Sequence, residues 1–133
     1  MTMNYILHDY EIDSIVLEDD KIIFSFPNGF YVTDDNGNEL QPLRRKLVFT
    51  IDRGSCTDLP LESFLSIRRI GPLGWREISF KRFTALFRKG NMIIHDEYNS
   101  KLTNWKMIQM NVCAKWSNIE MFITDIGKIL CLE

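Results

Sequence analysis

Two histidines, each followed by an acid, are the residues whose types and spacing come nearest to chemistry: His8-Asp9 in "LHDYEI" and His95-Asp96-Glu97 in "IIHDEY". Imidazoles and carboxylates held together ligate Zn²⁺ or another divalent ion, or work as a general acid and base. If the two segments ran as neighbouring strands, His8, Asp9, His95, Asp96 and Glu97 would supply one ligand set. The spacing works against this. Consecutive residues of a strand point to opposite faces, so each His-Asp pair offers a single member to a given pocket unless a bulge intervenes.

A second kind of chemistry is suggested by "IRRIGPLGWREISFKRFTALFRK" (67–89), where arginines and lysines alternate with aromatics. Basic side chains that reach phosphates and a tryptophan free to stack are what a nucleic-acid surface requires. An amphipathic helix with a solvated basic side accounts for the same pattern, and a pI near 5.7 weakens attraction to a polyanion. A third candidate is a run of acids, Glu11, Asp13, Asp19, Asp20, Asp34 and Asp35, which on one surface would dock a basic protein. Acids are also ordinary corner residues, and they protect exposed strands from edge pairing. Glycine-rich phosphate loops, GxSxG and HExxH are missing. Cys56, in "RGSCTD", has no histidine near it in sequence. The residues therefore predict no catalytic group and no cofactor.

The elements that would position these residues read mostly as strands. At 133 residues and 45% hydrophobic, the chain fits one domain, 1–133. Residues 10–26 alternate, turn at "EDDK" and return in "IIFSF", a hairpin. Pro27-Asn28-Gly29 reads as a second corner and "DDNGNE" as a third, with "KLVFTI" (46–51) a buried strand after Pro42. "LPLESFLSIRRI" (59–70) fits both periods and is assigned to strand. After the breaker "GPLG", residues 79–89 form a helix capped by Ser79 and Gly90, with Phe80, Phe83, Leu86 and Phe87 on one side. Beyond Gly90, "NMIIHDEY", "NWKMIQMNVCA", "NIEMFITD" and "KILCLE" are strands again. The expected fold is mainly β: an antiparallel meander closed as a barrel or folded as a sandwich, with one amphipathic helix, α+β being the alternative.

Charge is unevenly placed. Residues 1–40 hold nine acids against Lys21, a net of −8; residues 41–90 hold eleven bases against four acids, a net of +7. These blocks either neutralise each other across the fold or give the molecule a steering field. Three widely spaced cysteines without a CxxC pair suit reduced thiols, and neither a signal sequence nor a membrane-length apolar run is legible. A cytoplasmic protein without membrane contact is expected. Trp105 and Trp116, if left in water, would mark a self-association surface.

With "LHDYEI" at its start and "HDEYNSKLTNW" (95–105) further on, the chain resembles a loose class of small bacterial proteins of uncharacterised function, some of which accompany toxins as immunity proteins. That resemblance implies binding without chemistry. The expected function is a non-enzymatic, protein-binding module with a basic partner; the alternatives are a small metal-dependent enzyme built on the two His-Asp pairs and a nucleic-acid binder using residues 68–89.

Overall fold

The computed structural model describes residues 4–5, 7, 9–34, 36–55, 57–99, 106–115 and 117–133. His8, Asp35, Cys56, Trp105 and Trp116 lie outside the described residues. Two antiparallel sheets face each other as a sandwich rather than closing into a barrel. The first holds β1 (Asn4–Tyr5), β3 (Ser14–Glu18), β4 (Lys21–Thr33), β5 (Glu39–Ile51) and β11 (Ile126–Leu132); β1 and β3 both pair with β4, which is followed by β5 and then β11. The second runs β2-β8-β9-β10-β6-β7, with β2 (Glu11–Ile12), β6 (Leu65–Gly71), β7 (Gly74–Glu77), β8 (Met92–Asn99), β9 (Ile108–Ala114) and β10 (Ser117–Ile123). No helix is long and apolar enough to cross a membrane among the described residues.

Alternation fills the space between the sheets. Phe24, Leu47 and Phe49 from the first sheet and Ile67, Met110 and Met121 from the second are all buried, as every second residue of a half-buried strand must be. Phe24 and Phe49 meet edge to face at 5.6 Å. The segment from Tyr10 to Glu18 belongs to both sheets. It pairs with β8 through Glu11 and Ile12 and with β4 from Ser14 onward, and the switch falls at Asp13. Ile12 and Ile15 are consequently both buried, three residues apart, where simple alternation would set them on opposite faces.

The hairpin at "EDDK" forms as expected, with Glu18 opposite Lys21 and both central residues at positive φ (Asp19 48°, Asp20 59°), the type I′ geometry that matches strand twist. The expected corner at Pro27-Asn28-Gly29 does not. These residues lie inside the 13-residue β4 as a bulge. Between the pairs Ser25–Lys46 and Phe30–Arg44, β4 uses more residues than β5, and the imbalance reverses before Val32–Leu40. The bulge pushes Asn28 outward and lets Phe26 and Phe30 bury together, centroids 4.6 Å apart, with Tyr10 edge-on to both. Strand β5 begins at Glu39, ahead of Pro42, because proline sits where the ladder shifts and needs no donor.

Residues 59–70 divide into a 3-10 turn, Leu61–Phe64, and β6. "GPLG" is a hairpin tip, and β7 after it is a strand that periodicity did not reveal, since all four of its residues are exposed. The expected helix is α1 (Phe80–Ala85), continued by a 3-10 turn to Lys89. Ser79 caps it by accepting from the Arg82 amide at 3.1 Å, and Phe83 is fully buried. Arg53 fastens the first 3-10 turn to the β3–β4 corner. Its Nε donates to Asp20 Oδ1 at 2.8 Å, its Nη1 donates to the Leu59 carbonyl, and its guanidinium lies 5.6 Å from the Phe64 ring centroid.

Candidate functional site

The two histidine segments are neighbours. Antiparallel pairing of β2 with β8 sets Glu11 opposite Ile93, the Asp9 amide donates to the Ile94 carbonyl at 2.6 Å, and the Leu7 amide donates to Glu97 Oε1 at 2.8 Å. A bulge at His95 accompanies this. Strand β8 spends two steps from Ile94 to Asp96 while β9 spends one from Val112 to Asn111, so His95 and Asp96 turn to the same side and meet at 3.6 Å. Both side chains are exposed, at 67% and 44%, and Glu97 points the other way into the sandwich margin, committed to the Leu7 amide. Asp9 itself is exposed at φ 70°. Among the described residues no three His, Cys, Asp or Glu side chains are grouped to hold a metal, and His8 lies outside them.

The acids of the first third are spread out. Asp19 and Asp20 occupy the corner at one end of β4 and Asp34 the corner at the other, roughly 30 Å away because the bulge leaves about nine effective steps of extended chain. Three of them have local work. Asp20 pairs with Arg53, Glu11 Oε2 accepts from Asn28 Nδ2 at 2.8 Å, and Asp34 Oδ1 accepts from the Asn36 and Asn38 amides at 2.9 Å each. The bond from the Asn38 amide is the main reason the Asp34 carboxyl is held below its usual range. Asp13 is exposed beside the sheet switch, and Asp35 lies outside the described residues.

The basic stretch 68–89 is divided between the β6–β7 hairpin and α1. Trp75 is not free on both faces: the Arg68 guanidinium stacks on it at 4.2 Å, lies 5.2 Å from the Phe122 centroid, and reaches Glu120 at 3.7 Å. Arg69 and Arg76 are directly opposite each other across the hairpin, and Leu73 at its tip is fully exposed.

Placing Arg68 exposes a surface that no motif announced. Cross-strand partners share a face, so the outward side of the second sheet can be read row by row. One row is Ile93, Cys113, Asn118, Ile70 and Trp75; the next is Asp96, Asn111, Glu120, Arg68 and Glu77; a third is Tyr98, Gln109, Phe122 and Ser66. Ile70, Ile93, Trp75 and Tyr98 are 40%, 46%, 58% and 56% exposed. Isolated exposed apolar residues are ordinary; here four stand on one sheet face, Ile93 and Tyr98 separated from Ile70 and Trp75 by the polar side chains of β9 and β10. The outward alternation of β8, β10 and β6 was the available sequence signal, but the bulge at His95 breaks its phase.

Cysteine chemistry is unremarkable in geometry. Cys113 is exposed on the outer face, its thiol 3.6 Å from Asn118 Oδ1. Cys131 is half-buried, and loss of hydration raises its thiol above the usual value despite the opposing charge of Arg44. Comparison with protein-family models, with curated proteins and with solved structures finds no match.

Proposed function

We propose that this chain is a non-enzymatic, protein-binding module of the cytoplasm that docks through the outer face of its six-stranded sheet. The observation that carries the reading is the exposure of Trp75, Tyr98, Ile70 and Ile93 on that one face, Trp75 and Ile70 beside Arg68 toward one edge and Ile93 and Tyr98 on β8 beyond β9 and β10. Tryptophan, tyrosine and arginine are the side chains that dominate binding energy at protein interfaces, because they bury large areas at small entropic cost. Asn111, Asn118, Gln109 and Glu120, on β9 and β10 between the two apolar ends, supply hydrogen-bonding groups across the middle of that face. In its more specific form, suggested by "LHDYEI", the module is immunity-like and its partner is a toxin.

Photo-crosslinking residues introduced at positions 75 and 98 would capture the partner in cells, and the purified pair would then be titrated. Trp75→Ala and Tyr98→Ala should each weaken that complex about tenfold or more, with the unfolding midpoint little changed. Unchanged affinity in the double variant would overturn the reading.

A further inference from the structure

We infer that the free edge of β3 is a second binding site, which takes an extended, basic-flanked peptide segment of a partner protein as an additional strand against α1. The phase of the β3–β4 hairpin decides which backbone groups are available. A two-residue type I′ turn makes Glu18–Lys21 a hydrogen-bonded pair, and every second pair follows it, so Ser14, Val16 and Glu18 bond to β4. The amides and carbonyls of Ile15 and Leu17 therefore point away from the sheet. Among the described residues β3 pairs with β4 alone.

Those outward groups lie beside a concave surface that is open to solvent. They border an open groove of about 560 Å³ lined by Ile15, Val16 and Leu17 on one side and by Leu61, Glu62, Phe80 and Thr84 on the other. An unpaired ladder beside an apolar wall is matched by an extended chain: its main chain completes the ladder, and alternate side chains enter the groove toward Leu61 and Phe80. A compact ligand would satisfy the wall and leave the ladder unmet.

Charge chooses among extended chains. Glu62 is the ionisable side chain in the lining, Glu18 stands at the end of β3, and Asp13 and Asp19 bracket the strand. The bases of the helix, Lys81, Arg82 and Arg88, line an adjoining depression that shares Thr84 with the groove, and none of the three lines the groove itself. Lysine or arginine flanking an apolar core is thus the complementary peptide. A second copy of this chain is disfavoured by the same charges. Two β3 strands paired antiparallel about Val16 would set Asp13 of each against Asp19 of the other, and like charges directly opposite repel.

The test uses the full chain and three synthetic heptapeptides of alternating valine and threonine: one flanked by lysine, one flanked by glutamate, and one lysine-flanked but N-methylated at alternate amides. Backbone amide shifts and hydrogen exchange are followed during titration. The lysine-flanked peptide should slow exchange at Ile15 and Leu17, with the glutamate-flanked and N-methylated versions each binding about tenfold more weakly. Leu17→Pro removes an outward donor while leaving the β3–β4 bonds in place, and it should weaken the lysine-flanked peptide by a similar factor. Should that variant fail to fold, the N-methylated peptide asks the same question of the unaltered protein. Equal affinity for all three peptides, responses confined to other residues, or protection of Ile15 and Leu17 that appears with protein concentration alone would overturn the inference. None of these outcomes depends on Trp75 or Tyr98, so this site and the sheet-face reading fail separately.

Discussion

Replacing Gly29 by alanine probes the bulge that replaces the expected corner in β4. Gly29 has φ +73°, and a Cβ added there would lie 2.5 Å from Leu43 Cδ2, 2.6 Å from Leu43 Cγ and 2.9 Å from the Arg44 carbonyl oxygen. Holding alanine in the left-handed region costs about 1–2 kcal/mol. The Leu43 side chain can rotate away, but the Arg44 carbonyl belongs to β5 and moves only by disturbing the Phe30–Arg44 pairing. Overpacking of this kind adds about 1–3 kcal/mol, which brings the expected loss to about 3 kcal/mol. Gly37, in the β4–β5 turn, is the matched control: its φ is +81° and nothing lies within 4 Å of an added Cβ, so alanine there should cost only the backbone share, about 1 kcal/mol. Urea unfolding of both variants, followed by tryptophan fluorescence, gives the two losses directly if the m-value is unchanged. For a 133-residue chain the Gly29 variant should melt about 10 °C lower. Equal losses at positions 29 and 37 would refute the close approach of β5 to the bulge.

Asp34 should show in the pH dependence of stability. Its folded carboxyl titrates below the ordinary 3.8, so its contribution is complete above that value and disappears as pH falls through the lower folded value. The gap between wild type and Asp34→Ala should be constant near neutrality and close only at strongly acid pH; a gap that widens on acidification would contradict the hydrogen-bonding arrangement. Alkylation mapped by mass spectrometry should modify the exposed Cys113 well before Cys131, whose raised thiol needs more alkaline solution; the reverse order would place Cys131 at the surface. Arg53→Ala should destabilise by about 1 kcal/mol, since the Asp20 and Leu59 bonds are lost together, while Arg53→Lys, unable to reproduce both, should recover only part of it. Metal analysis of protein purified without chelator should find less than one equivalent of zinc or manganese, and full occupancy would return attention to His95 and Asp96.

The elements legible in the residues alone were those whose information is local. The "EDDK" hairpin rests on two acids that accept positive φ, the helix on Ser79 and the spacing of Phe80, Phe83 and Phe87, and the later strands on two-residue alternation. Strand β7 was not legible, because all four residues from Gly74 to Glu77 are exposed and leave no alternation to find. Pro27-Asn28-Gly29 has turn chemistry in either setting, and whether it bends the chain back or only bulges depends on β5 continuing alongside it.

The candidate residues divide in the same way. Side-chain types already identified His95, Asp96, Glu97 and the acids of the first third as groups capable of chemistry or attraction. Where they point was settled by pairing: the bulge at His95 turns two neighbours to one side, 13-residue β4 holds Asp20 and Asp34 apart, and cross-strand register turns Ile70, Ile93, Trp75 and Tyr98 to the same face. Sequence by itself determined a β-rich chain with one amphipathic helix, because periodicity belongs to a single segment and its solvent. Tertiary structure alone decided which residues share a surface and which strand edge stays open, because those depend on register between segments far apart in the chain, where a shift of one residue reverses every face.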